Sequence, residues 1–386
     1  MLKAFKYRLN PNKVQAELIN KHIGSTRFVY NLALECKQMA FVGNRVNLSC
    51  FDLMSQLPDL KKECEWLKEV NAQSLQQSIV NLDAAFTRFF KGKADFPKFK
   101  SKNRIRQSFN VPQNVSINEG SLVMPKFKEG IRIILHRELK GSIRQATISR
   151  TPTGKYFASI LCDTGEEVKP KAKIKESTTI GIDLGIKTYL VSSDGQEFEN
   201  PKFLRKAQNR LKYVQRKFSK YKGSRTKKRL AILHEKVANQ RKDFLHKTST
   251  KLIRENQSVA IEDLNVSGML KNHNLAQSIS DAGWRMFVDM LEYKAEWYGV
   301  NVLKIGRFDP SSKTCSNCGN INKELTLKDR TWTCKGCGTV LDRDINASIN
   351  IKNFALKNHL SVGRRLKNQG KLPTLVGALT PETNAI

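Results

Sequence analysis

The chain has 386 residues, and 68 lysines and arginines against 35 aspartates and glutamates give it a net charge of +33 at pH 7. That length supports two or three domains with separate cores, and so large a positive excess needs a polyanion against it, which points to nucleic acid. No apolar run approaches the roughly 18 residues of a membrane span and no basic amphipathic anchor is visible, while eight cysteines in a chain this long do not make a secreted disulfide scaffold.

Residues 1–10 alternate like a strand, lack a signal-peptide core, and end at Asn10-Pro11-Asn12, a turn that also caps a helix. Residues 12–90 are predicted mostly helical, with apolar positions at Val14, Leu18, Phe28 and Leu32 and later at Leu75, Ile79, Leu82, Phe86 and Phe90. From Arg88 to Arg106 there are eight Lys/Arg and one Asp, interleaved with Phe89, Phe90, Phe96 and Phe99. Such a mixture suits phosphate contact with base stacking, and equally a solvated loop pinned to a core by its rings. Short strands follow to about Glu167, at Leu122–Met124, Ile131–Leu135, Ile143–Ser149 and Tyr156–Cys162. They are read as a small β-barrel or sheet that residues 1–10 complete, with the helical region inserted into it, and lysine-rich 169–176 as a linker.

At 177–193 the pattern is strand, tight turn, strand. Residues 201–258 then carry 19 Lys/Arg against 3 Asp/Glu. Leu204, Ala207, Leu211, Val214 and Phe218 make a coiled-coil-like seam that resumes after Gly223 at Leu230, Leu233, Val237 and Phe244, so two helices should pack as a hairpin with a positive outer rail. A strand at 258–264, an amphipathic helix at Trp284–Tyr298, a strand at Asn301–Ile305 and a helix starting near Asp344 complete the pattern. Residues 359–386 read as a disordered tail.

Cys315, Cys318, Cys334 and Cys337 form two Cys-x-x-Cys pairs fifteen residues apart, the spacing of a four-cysteine zinc ribbon. Gly319 and Gly338 follow each second cysteine, where the knuckle needs a positive φ. Thiolates select Zn²⁺, and four of them close its coordination sphere, so one zinc here is structural. Three carboxylates carry the catalytic expectation. Asp183 lies in the apolar strand Ile180–Gly185, Glu262 ends Val259-Ala260-Ile261, and Asp344 opens the last helix. One such acid alone would be read as a helix cap. Three in one α/β pattern favour a shared site for two Mg²⁺ ions about 4 Å apart, which activate water and stabilise the leaving oxygen of a phosphodiester.

The order Gly181-Ile182-Asp183-Leu184-Gly185, basic helices, Ile261-Glu262-Asp263-Leu264, the Ser311–Gly319 knuckle and Asp342-Arg343-Asp344-Ile345-Asn346-Ala347-Ser348 resembles the TnpB (OrfB) family of insertion sequences, relatives of type V CRISPR effectors. The likeness extends to Leu2–Pro11, to Phe96–Lys100 and to Asp281-Ala282-Gly283-Trp284, and so to nearly the whole chain. It implies an RNA-guided DNA endonuclease with a RuvC-type site, in which a transposon-end guide RNA pairs with target double-stranded DNA beside a short adjacent motif. By the family's motifs Asp183, Glu262 and Asp344 are the metal-binding acids and the four cysteines the zinc ligands. Asp342 is the alternative register, and the Asn-Ala after Asp344 selects Asp344.

The expected fold is α+β and multidomain. It comprises a wedge-like barrel (1–10 with 91–168), a helical recognition module (11–90), an RNase H-like nuclease domain (177–313 with 341–358) and the zinc ribbon (314–340). The expected protein is a monomer without membrane contact, in the bacterial cytoplasm and associated with the nucleoid. Gly181–Gly185 also resembles the phosphate loop of actin-like ATPases, which lack a basic rail and a zinc ribbon. A tyrosine transposase with a His-apolar-His motif is excluded, because none of the six histidines lies two residues from another. The alternative from another class is a nuclease-inactive RNA-guided DNA-binding repressor, which loss of an acid would mark; all three acids are present.

Overall fold

The computed structural model describes residues 1–102, 107–326 and 328–368. Leu2–Leu9 forms β1, burying Phe5, Tyr7 and Leu9 on alternate positions. Asn12 then starts α1 (Lys13–Asn44) with a capping box: its Oδ1 accepts from the Gln15 amide at 2.8 Å, and Gln15 Oε1 accepts from the Asn12 amide at 3.1 Å. Helices α2 (Cys50–Ser55), α3 (Leu57–Glu63) and α4 (Ala72–Phe90) follow, and Val29, Leu34, Leu53, Leu67, Leu75, Ile79 and Leu82 close a core among them. Val14, placed by the sequence on the apolar face of this region, is 75% exposed; Ile19 and Ile23 face the core of the sheet instead.

Strands β2 (Gln107–Val111), β3 (Ser116–Asn118), β4 (Ser121–Met124), β5 (Phe127–Ile134), β6 (Ser142–Arg150) and β7 (Tyr156–Asp163) join β1 in one antiparallel sheet, ordered β2-β6-β7-β1-β5-β4-β3. Four helices thus intervene between two strands of the same sheet. Among the described residues no ladder joins β2 to β3, so strand pairing does not close the sheet into a ring. These elements belong to the first of two compact units, Met1–Glu167; the second is Val168–Ile386.

His22 ties this unit together. Its Nδ1 lies 2.8 Å from the Leu18 carbonyl, its Nε2 accepts from the Asn71 amide at the start of α4, and its ring packs on Phe109 and Phe127. Burial, with repulsion from Lys126 and against the Leu18 carbonyl, holds its pKa down to about 4. The unfolded chain takes up this proton near pH 6.5 and the folded unit refuses it until about 4. Stability is therefore complete above pH 6.5 and falls by up to ~3 kcal/mol as the pH drops through that window. Hydrogen exchange of α1 amides, corrected for intrinsic rates, should show this slope and should show it flattened in His22→Met; an equal slope in both proteins rejects the assignment.

In the second unit, β8 (Thr179–Leu184) pairs antiparallel with β9 (Thr188–Ser192), which pairs antiparallel with β10 (Glu197–Glu199). Helices α5 (Phe203–Tyr221) and α6 (Ser224–Glu255) form the predicted hairpin, burying Leu211, Val214 and Val237. The bend is made by Lys222 at φ 46°, while Gly223 is extended. Strand β11 (Ser258–Glu262), helices α7 (Val266–Met269), α8 (Ala276–Ala282) and α9 (Trp284–Tyr298) and strand β12 (Asn301–Ile305) follow. Strands β8, β11 and β12 are parallel, giving the order β10-β9-β8-β11-β12. A two-stranded ribbon, β13 (Thr331–Thr333) and β14 (Val340–Asp342), leads into α10 (Arg343–Asn368). This helix passes residue 359, where the sequence predicted order to end; residues 369–386 lie outside the described residues. Among the described residues no helix is long and apolar enough to cross a membrane.

Alternation assigns the two faces of this sheet. Ile180, Ile182, Val259 and Ile261 pack with Leu245, Leu252, Phe287 and Leu291 of α6 and α9. Ala260 packs with Ile351 and Ala355 of α10 on the opposite face. Asp281 caps α5, whose own N-cap residue has no capping side chain: its carboxylate accepts from the Leu204 and Arg205 amides and from Arg241.

Candidate active site

The parity that sends Ile182 and Ile261 to one face sends Asp183 and Glu262 to the face covered by α10. Strands β8 and β11 pair in register through Gly181 and Ala260, so each acid stands two residues further along its strand, side by side. Asp344 lies in the first turn of α10. Burial, then the charges of Glu262 and Asp344, push the Asp183 carboxyl up to about 7, against the opposing pull of Arg343 and the Leu184 amide. The charges of Glu262 and Asp344 thus both bear on Asp183, and a cation relieves such repulsion.

Both glycines of the Asp183 strand are required by contact. A Cβ on Gly181 would stand 2.1 Å from the Ser348 carbonyl oxygen and 2.8 Å from the Lys352 amide, so α10 lies directly on the backbone of β8. A Cβ on Gly185 would meet the Thr188 oxygen at 2.5 Å in the turn to β9. Gly181→Ala should therefore lift the helix that carries Asp344 and cost about 1–3 kcal/mol or more, seen as a lowered melting transition; wild-type melting would mean that α10 shifts freely.

Residues that sequence reasoning did not single out hold the acids in place. Ser311 donates to Glu262 Oε1 at 2.6 Å. Asn350 of α10 donates to the Ser311 carbonyl at 2.8 Å, and Asn346 donates to the Thr314 carbonyl at 2.7 Å while accepting from the Ser316 amide. Two asparagines one turn apart thus latch α10 to the strand-to-knuckle segment. The Asn-Ala after Asp344 was visible as a motif, but its bonding partners lie some thirty residues upstream. Asp342 Oδ1 accepts from the Asp344 and Ile345 amides, so the alternative acid serves as the helix cap. Arg330 Nη1 donates to both Asp344 oxygens, at 3.1 and 3.3 Å.

The four cysteines converge: their sulfurs all lie within 4.8 Å of one another, with Cys315–Cys337 at 3.7 Å and Cys318–Cys334 at 3.5 Å. A tetrahedron of Zn–S bonds of about 2.3 Å has edges near 3.8 Å, so the cluster fits a metal such as zinc. Gly319 and Gly338 adopt φ 80° and 70°, as the knuckles require. Leu325 and Trp332 pack on Cys315 and Cys334 as a separate small core.

Residues 159–273 match the family described as "Probable transposase" (OrfB, IS605 type), residues 1–41 its helix-turn-helix domain, and residues 284–351 the Cas12f1-like TNB domain. In this chain residues 1–41 form one strand and most of one long helix. A Streptomyces pristinaespiralis protein provisionally named RNA-guided DNA endonuclease is 39% identical over 359 residues, 90% of this chain and 88% of its own. InsQ of Escherichia coli K12, with the same provisional name, is 31% identical over 376 residues, 91% of each chain. The TnpB-like protein L79 of Acanthamoeba polyphaga mimivirus is 24% identical over 386 residues, 91% of this chain and 73% of its own. A chain of the solved Cas12f1–sgRNA–target DNA complex superimposes with a TM-score of 0.55 at 16% identity over 89% of this chain and 83% of that one, a likeness of fold. With identity of this order along nearly its whole length, the chain belongs to the TnpB (OrfB, IS605-type) family.

Proposed function

We propose that the protein is an RNA-guided DNA endonuclease of an insertion sequence, cutting target DNA beside a short adjacent motif at an RNase H-like, RuvC-type site. The observation that carries the reading is the placement of Asp183 and Glu262 at matching positions of the paired strands β8 and β11, with Asp344 in the first turn of α10, whose residues pack on that face of the sheet. Burial and the charges of the other two acids hold Asp183 up to about 7. Hard carboxylate oxygens of this kind suit Mg²⁺, and these three residues would hold two such ions. When bound, the ions supply an activated water and charge stabilisation at the leaving oxygen.

The remaining work falls to the chain's own groups. Ser311 fixes the Glu262 carboxylate by donating to one oxygen, leaving the other for a cation. Asp342 orients the first turn of α10 through its cap, and the Asn346 and Asn350 latches hold that turn against the knuckle. Arg330, paired with Asp344 in the free protein, has a guanidinium that matches a phosphate fork once a cation takes its place on the carboxylate. The four cysteines hold one structural zinc. Sequence is read by base pairing to a guide RNA from the transposon end, so the protein needs backbone-tracking cations, and the α5–α6 rail supplies them.

The test is purification with the flanking transposon-end RNA, followed by plasmid cleavage with and without Mg²⁺. Guide- and Mg²⁺-dependent double-strand breaks are expected. Guided binding without any cut, with all three acids intact, would instead make the protein a repressor.

A further inference from the structure

We infer that residues 88–102 form a stacking platform for an unpaired stretch of the guide RNA, an assignment that rests on the RNA-guided reading above. The last turn of α4 presents Phe86, Phe89 and Phe90, and the segment that follows presents Phe96 and Phe99. Phe96 stands edge-on to Phe86 at 5.5 Å and to Phe89 at 5.3 Å, and Pro97 beside it is buried. Phe96 therefore does the pinning that a surface loop needs. Phe90 and Phe99 are left over: the first leans on Phe86 and is still 76% exposed, the second is 48% exposed.

The segment is held in shape without a ligand. Asn31 of α1 donates to the Lys100 carbonyl at 3.0 Å and accepts from the Lys100 amide at 2.7 Å, and the Lys100 ammonium lies 3.6 Å above the Tyr30 ring. Around the two free rings stand Arg88, Lys91, Lys93, Lys98, Lys100 and Lys102 against Asp95 alone. Phe96 touches Phe89 and Phe89 touches Phe90, while Phe96 and Phe99 are three residues apart, at most about 10 Å of backbone. Two exposed aromatics on one short basic segment match the bases and phosphates of a single strand. A lipid surface or an apolar protein face would ask for a continuous apolar patch. In the guided reading the guide is the strand that stays with the protein with or without a target, which makes it the occupant of a platform held by the protein's own contacts.

The experiment uses the full-length protein, a transcript of the flanking transposon-end RNA, and single-stranded DNA of the same sequence. Phe90→Ala with Phe99→Ala should weaken RNA binding about tenfold or more, as expected for lost base stacking. The dependence of affinity on salt should stay the same, because no phosphate contact is removed. The melting temperature should not move, and Phe90→Tyr with Phe99→Tyr should restore binding. Unchanged RNA affinity overturns the platform, as does a loss confined to single-stranded DNA or a fall in melting temperature that accounts for the weaker binding. Wild-type protein that holds no RNA overturns the guided reading as well; wild-type protein that binds and cuts normally beside equally active alanine variants overturns the platform alone.

Discussion

Asp183→Asn should reduce cleavage by about a thousandfold or more while guide and DNA binding persist, and should raise the melting temperature of the metal-free second unit. Both effects come from one cause. Asp183 sits where burial and the charges of Glu262 and Asp344 all oppose its ionisation, so a neutral side chain of the same shape removes a standing repulsion. The same change removes a cation ligand that is worth several kcal/mol in the transition state, each 1.36 kcal/mol being a factor of ten. Differential scanning calorimetry separates the two consequences. Wild-type protein should gain stability on adding Mg²⁺ and the variant should gain little, so that their order reverses at saturating metal. A variant that melts lower in metal-free buffer would assign Asp183 a structural role; a variant that still cuts would remove it from the site.

Loss of zinc should be nearly as severe and should act at a distance. Cys334→Ser, or a chelator selective for zinc over magnesium, unfolds a ribbon whose small core consists of Leu325, Trp332 and the cysteines themselves. Apparent binding energies of structural zinc, about 10–16 kcal/mol in small domains, leave no such ribbon folded without metal. Three contacts go with it: Arg330 on Asp344, Asn346 on the Thr314 carbonyl and Ser316 amide, and the Ser311 hydroxyl on Glu262, which Asn350 holds by its backbone. Cleavage should fall by roughly the 10- to 100-fold of lost outer-shell support for each disordered ligand. The five-stranded sheet of the same unit, whose core is built from other residues, should keep its melting transition. One zinc per chain by elemental analysis, lost together with activity, is the expected pairing; full cleavage by zinc-free protein rejects the coupling.

The parts of this molecule legible in its sequence are those that depend on neighbours in the chain. Asn12 with Gln15 makes a capping box within four residues, the apolar seam of α5 and α6 repeats within single helices, and each knuckle with its positive-φ glycine spans five. Asp183 and Glu262 are legible only together with Asp344, since each acid alone reads as a helix cap. What could not be read depends on docking between distant segments. Gly181 shows why: its motif is visible, but the reason for it is the Ser348 carbonyl, which meets it only once α10 lies on the sheet. Ser311 and Asn346 are visible as motif residues and Arg330 not at all, but the bonds of all three form only once distant segments meet. The same holds for Asp342: the motif places it second to Asp344, but its bonds to the Asp344 and Ile345 amides exist only once the helix start has formed.

The place of β1 in its sheet bears on how the chain emerges from the ribosome. Its eight residues lie between β5 and β7, pairing Leu2 with Asp163 and Leu9 with Tyr156. Strand β1 must therefore wait for β7, about 150 residues later, which takes about 7 to 30 s at ordinary elongation rates of about 5–20 residues per second. Meanwhile α1 to α4 can form on local contacts. Through that interval Phe5, Tyr7 and Leu9 form an unpaired apolar edge on a nascent chain, the kind of surface that trigger-type chaperones shield. Moving residues 1–10 to follow Asp163 by circular permutation would shorten the wait to a hairpin, and the yield of soluble protein at high expression should rise accordingly.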